Sequence, residues 1–129
     1  MTQPNVKASP VTIVEADLPA VTFAALISDS LGKPIVGARV NFLARTAGHL
    51  FEFTEQDSGP DGVARLTMPA RELHAILNAT VNDVHIVGWQ AFFQPIGNTN
   101  GVIYCDTRGD GDVPVDVANL VAKSLFGGR

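Results

Sequence analysis

Among 129 residues there is a single cysteine, Cys105. No disulfide can close within the chain, and the paired-cysteine framework of antibody domains is excluded. A lone thiol reads first as a small buried apolar residue. Basic charge is also sparse: nine Lys and Arg stand against thirteen Asp and Glu, for a net charge of −4, and they never cluster. The phosphate-neutralising patch that nucleic-acid binding needs is missing, so no nucleic-acid partner is expected. No apolar run is long enough to span a bilayer, and no basic amphipathic helix suggests a membrane surface. The opening Met1-Thr2-Gln3-Pro4-Asn5-Val6-Lys7 has no basic stretch leading into an apolar one, so no signal peptide is expected.

Catalytic signatures are wanting too. There is no Gly-x-Ser-x-Gly elbow, no phosphate-binding Gly-rich loop and no His-Glu-x-x-His. His49, His74 and His85 are scattered, with no ligand spacing between any two, and one cysteine cannot complete a structural zinc site. The expectation is a non-enzymatic chain with no cofactor and no catalytic residue.

What the chain does have is punctuation. Twelve Gly and eight Pro interrupt a composition that is 46% hydrophobic and 17% charged, as turns between the strands of a globular all-β domain do. Val21, Phe23, Ala25 and Ile27 fall on one face of a strand. After the turn Asp29 to Pro34, Val36, Ala38, Val40 and Phe42 alternate likewise. Phe51 and Phe53 share a face, and the turn cluster Asp57 to Gly62 leads into Ala64, Leu66 and Met68. Residues 71–81 alternate through Leu73, Ala75, Leu77, Ala79 and Val81, and are read as a strand despite the helix preference of Ala and Leu. Val84 to Phe93 and Val102 to Cys105 read as further strands. Trp89 and Phe93 share one face of the first, opposite Phe92, and all three are taken as core.

The period then changes. Val117, Leu120, Val121 and Leu125 recur at helical spacing, after Pro114 and with Asp116 in the first turn. Before this helix lies Asp106-Thr107-Arg108-Gly109-Asp110-Gly111-Asp112, which has the outline of a calcium loop. Arg108 puts a cation at the third ligand position and Val117 stands at the twelfth, so the segment is read as a solvated acidic turn and no metal is assigned. Asp106, Asp110, Asp112 and Asp116 remain a weak cation candidate. Arg108-Gly109-Asp110 also spells an integrin-type tripeptide, a match short enough to arise by chance.

From Ala25 to Ala79 the chain resembles bacterial Ig-like domains of the invasin/intimin type, and the related carboxypeptidase regulatory-like and transthyretin-like modules. The matching residues are Asp29, Gly32, Pro34, Ile35, Gly37, Ala38, Val40 and Phe42, then Thr54, then Asp61, Gly62, Val63, Ala64 and Leu66. Ala79-Thr80-Val81-Asn82-Asp83 is similar to the penultimate strand and turn of that type. The resemblance implies an Ig-like antiparallel β-sandwich used as a spacer, stalk, docking or display domain. Tandem copies usual in that family are absent, and residues 97–129 lie outside its pattern.

These readings combine into one expectation. Residues 1–10 form a flexible N-terminal arm, 11–105 an Ig-like β-sandwich of about seven to nine strands, and 106–129 an acidic turn and a C-terminal amphipathic helix. Phe23, Val40, Phe42, Phe53, Leu66 and Leu77 are expected in the core. The expected function is a structural or recognition module docking on a larger symmetric protein assembly in many copies. A phage virion, as capsid decoration or tail accessory, or a secretion spike would suit it. Location would then be the virion or an extracellular assembly, and the isolated chain a monomer or small homo-oligomer. The alternative is a domain of a cell-surface adhesin or an accessory domain of a carbohydrate-handling enzyme.

Overall fold

The computed structural model describes residues 1–95 and 97–124. Two antiparallel four-stranded sheets pack face to face, with two short helices. The all-β sandwich expected from the alternation is the architecture observed.

In the first sheet β3 (Ala20–Ser28) is central. One side of it pairs with β6 (Val63–Pro69), from Ala20↔Pro69 to Leu26↔Val63. Its other side pairs end to end with β1 (Asn5–Ala8) and β2 (Thr12–Val14), from Asn5↔Ser28 and Thr12↔Thr22. The second sheet runs β5 (Leu50–Asp57), β4 (Arg39–Arg45), β7 (Gly88–Phe93) and β8 (Thr107–Asp112). Inward residues of both sheets fill the core: Val21, Phe23, Ala25, Ile27, Val40, Phe42, Ala44, Ala64, Trp89, Ala91 and Phe93 are fully buried. Phe53 and Leu66 are half-buried against it. The Trp89 indole stacks on Phe42 at 5.5 Å between ring centres and 6° between planes, and meets Phe23 edge-on at 5.3 Å.

Residues 102–105 make only isolated bridges, Val102 to Thr99 and Tyr104 to Thr2, in place of the expected strand. Phe92, expected in the core, is half-buried on the outer face of β7. Three larger expectations are corrected as well. Residues 71–81 are not a strand: α1 spans Ala70–Val81. Its buried residues Ala70, Leu73, His74 and Leu77 follow a spacing of three, four and seven, which is one helical face. The two-residue alternation of Leu73 and Leu77 fits either period, and here Ala, Leu and an early Glu72 decide for helix. Asn82 then stops the helix in the left-handed region at φ 53°, its N–H bonded to the Asn78 carbonyl. Ala79-Thr80-Val81, expected as a penultimate strand, is therefore the last turn of α1.

Second, residues 1–10 are not a flexible arm, because residues 5–8 are β1. The backbone of this segment finds partners along its length: Thr2 pairs with Ile103 and Cys105, and Ser9 N–H donates to Ala24 O. Pro10 has no N–H to give, and here the segment bends away. Val11 N–H donates across to Asp112 O of the other sheet, at 3.0 Å.

Third, the acidic segment 106–112 is not a turn but contains β8, paired with β7 from Phe93↔Thr107 to Gly88↔Asp112. Arg108, Asp110 and Asp112 face solvent, while Gly109 and Gly111 face inward. A Cβ on Gly109 would overlap the Val6 carbonyl, and one on Gly111 would overlap the Trp89 indole nitrogen. The glycines are there because backbone and indole occupy the space of side chains.

Both helices sit at the end of the sandwich where β3 begins. α2 (Val115–Lys123) follows β8 and buries Val117 and Val121. Its expected fourth apolar residue, Leu125, lies outside the described residues. The buried His74 ring joins the helices, Nδ1 lying 2.9 Å from Val121 O, which assigns that nitrogen the proton.

Trp89 is held on both sides and cannot retreat from a new methyl group at position 111. Gly111→Ala should cost about 1–3 kcal/mol by overpacking, and lower the melting temperature by roughly 3–10 °C. Gly48→Ala, where a Cβ meets nothing within 4 Å, should change stability by no more than about 0.5 kcal/mol. Thermal unfolding followed by circular dichroism measures both.

Candidate functional site

With the helices at one end, the opposite end of the sandwich is built from loops. Residues 29–38 link β3 to β4, 58–62 link β5 to β6, and 94–106 link β7 to β8. Their chemistry is that of fixed turns. Asp29 Oδ1 accepts from the backbone N–H of Leu31 and Lys33, both at 2.9 Å. Ser58, buried, donates from Oγ to Ile35 O at 2.6 Å and accepts from Ala38 N–H at 2.8 Å, tying two loops together. Asn100 Nδ2 donates to Val36 O at 2.9 Å and ties in the third. Gly62, at φ 78°, lies against Pro34 and the Ile27 carbonyl, where a Cβ would not fit.

On these tied loops the side chains that stand out are apolar. Leu31 is 91% exposed, Ile103 57% and Val36 45%. Val36 lines a groove of about 350 Å³ together with Asp29, Lys33, Pro34, Asn100 and Tyr104 among others. A smaller depression of about 210 Å³ lies against Arg39, Asp57 and Asn98. Arg39 bridges Asp57 at 2.7 Å and Glu55 at 3.0 Å. The hydrogen bond to Asp57, and the charges of both carboxylates, hold its guanidinium above its ordinary value. Asp61 accepts from Arg65 at 2.7 Å and from Val63 N–H at 3.1 Å. The Arg65 hydrogen bond, then that of Val63, hold its carboxyl below the usual range.

The four aspartates of the candidate cation loop are not brought together. Asp106 and Asp112 flank opposite ends of β8, about 20 Å apart at the rise of an extended strand. Asp110 points outward, where Oδ1 accepts from Arg45 and from Gln90 Nε2, both at 2.9 Å. Asp116 is on the first turn of α2. Among the described residues, no group of three or more His, Cys, Asp or Glu is placed to hold a metal ion. The Arg108 guanidinium lies over the Phe92 ring at 4.4 Å, so the integrin-like tripeptide is part of a paired strand and not a loop tip. His85 and Asp83 pair at 3.1 Å near the helical end, away from His74.

Leu31, Val36 and Ile103 were not singled out by sequence reasoning. The signal for Leu31 was present: a large apolar residue at the tip of the polar turn Asp29 to Pro34 fills no core. Val36 and Ile103 carried no such signal, since each lies within an apolar alternation that reads as strand. Comparison with protein-family models, with curated proteins and with solved structures gave no match to this chain.

Asp61 offers a direct check on how the loop end is held. Its folded carboxyl ionises below the unfolded value, so its contribution is complete above about pH 4 and disappears as pH falls through the depressed folded value. As pH falls, the Val63 amide proton should therefore keep its chemical shift through the ordinary carboxylate range and move only at lower pH. In Asp61→Asn that titration should vanish; an NMR pH series reads both.

Proposed function

We propose that this chain is a non-catalytic structural or recognition module that docks by the loop end of its sandwich onto a larger, multi-copy protein assembly. A phage virion, as capsid decoration or tail accessory, or a secretion spike is the kind of assembly meant. One observation carries this reading: Leu31, Val36 and Ile103 are exposed on loops whose backbones are already tied down by Asp29, Ser58 and Asn100. Association costs less when the contacting loops are ordered beforehand. Val36 shares its groove with Lys33 and Asn100, a mix of apolar and polar groups of the kind protein interfaces use.

The resemblance to invasin-type Ig-like domains, in the part from Ala25 to Leu66 that lies on strands and turns, supports the same reading, since such domains serve as spacers and display units; its last part falls on α1 and adds nothing.

Labelled full-length chain should sediment with intact virions or secretion-spike particles from its own source, and saturate at a fixed number of copies per particle. Leu31→Ser and Ile103→Ser should each weaken that binding about tenfold or more, with the melting temperature held. If the unaltered chain stays in the supernatant with every such particle, the docking reading is wrong.

A further inference from the structure

The N-terminal segment 1–14 occupies a groove between the β3 edge and β8. One wall is the β3 edge, which pairs with Asn5–Ala8 and Thr12–Val14. The floor is β8, where Gly109 lies under the Val6 backbone. Trp89 Nε1 donates to Ser9 O at 2.9 Å, and Asp112 O accepts from Val11 N–H. Pro4 and Val11 are fully buried in this setting. The segment that matches every one of these features is residues 1–14 of this sequence.

The connection to the rest of the chain is different in kind. Glu15, Ala16, Asp17 and Leu18 are exposed, and Pro19 is half-buried. Among the described residues, no backbone hydrogen bond beyond the strand ladders involves residues 15–18; the nearest, Ala70 N–H to Pro19 O, lies on the β3 side. These five residues can straighten to about 17 Å without giving up a contact made by β1 or β2. The ladder itself is interrupted at Ser9-Pro10-Val11, so the segment is held as two short strands of four and three residues.

We propose that the groove also accepts residues 1–14 of a second copy of this chain, giving a strand-exchanged dimer with residues 15–19 as the hinge. Every contact of the closed monomer is remade between copies, and only the hinge changes conformation, which is the condition for exchange of an identical element. The exchange does not depend on the loop-end docking reading: it uses the N-terminal segment, and a chain that binds no particle can still exchange.

Two pools of full-length chain test this, both carrying Cys105→Ser. One carries Lys7→Cys and the other Leu26→Cys, positions that face each other across β1 and β3. The pools are mixed, concentrated, held just below the melting temperature and cooled. The dimer is isolated by size exclusion, diluted and only then oxidised. A disulfide joining one chain of each kind is expected in the isolated dimer. With the unaltered chain, the dimer-to-monomer ratio should rise about tenfold per tenfold increase in concentration while monomer predominates. Deleting Ala16 and Asp17 should raise the dimer fraction further, because a shortened hinge strains the closed form. A chain that stays monomeric under all these conditions, hinge deletion included, overturns the proposal. So does a dimer whose mixed pools yield no disulfide between unlike chains.

Discussion

The inner face of β8 carries no side chains where the N-terminal strand crosses it, and the closure of the sandwich depends on this. Gly109 leaves room for the Val6 backbone, and Gly111 leaves room for the Trp89 indole. The indole then reaches the Ser9 carbonyl, which satisfies the one polar group of a fully buried ring. Beside it, Val11 leaves the first sheet to bond Asp112 of the second. One indole, two missing side chains and one proline without an N–H thus join the sheets along one side.

The rest of the architecture follows from that seam. β1 packs on the inner face of β8 at Gly109, while the aspartates and Arg108 of β8 stay on the solvent side. The indole lies flat on Phe42 and against Phe23, so the seam is continuous with the aromatic centre that both sheets share. Helices α1 and α2 cover one end, joined through His74. The other end is left to three loops, which carry the exposed Leu31, Val36 and Ile103. Binding surfaces are commonly carried on loops held by a rigid scaffold, and the docking proposal rests on that general pattern.

Much of this was legible in the residues. The alternation of Val21, Phe23, Ala25 and Ile27, of Val40 and Phe42, and of Trp89 and Phe93 places each on the buried face it occupies, because a half-buried strand has one readable period. The C-terminal helix was equally plain from Val117 and Val121. α1 was misread because its small and apolar residues satisfy a period of two as well as a helical face, and propensity was the better guide. The stretch 106–112 was misread for a subtler reason. Its alternation is present, as Arg108, Asp110 and Asp112 against Gly109 and Gly111, but the inward members are glycines, which look like turn chemistry until the backbone and ring that fill their space are seen. The arm was misread because Pro4 and Pro10 suggested a linker; they border a strand whose inward residues are only Val6 and Ala8. The loop end was the least legible, since which apolar residues remain exposed is decided by long-range ties such as Asn100 to Val36.

The chain has one tryptophan, so its indole N–H is a single assigned probe of the seam. Native-state hydrogen exchange of Trp89 Nε1–H, compared with the central amides of β3 and β4, tests the account most directly. If the N-terminal strand is integral to the sandwich, the indole proton exchanges only as the whole fold opens, with the same free energy as the slowest backbone amides. Exchange of the indole proton that is much faster than those amides, with the core still protected, would show that residues 1–14 detach on their own, and that the sandwich is closed without them.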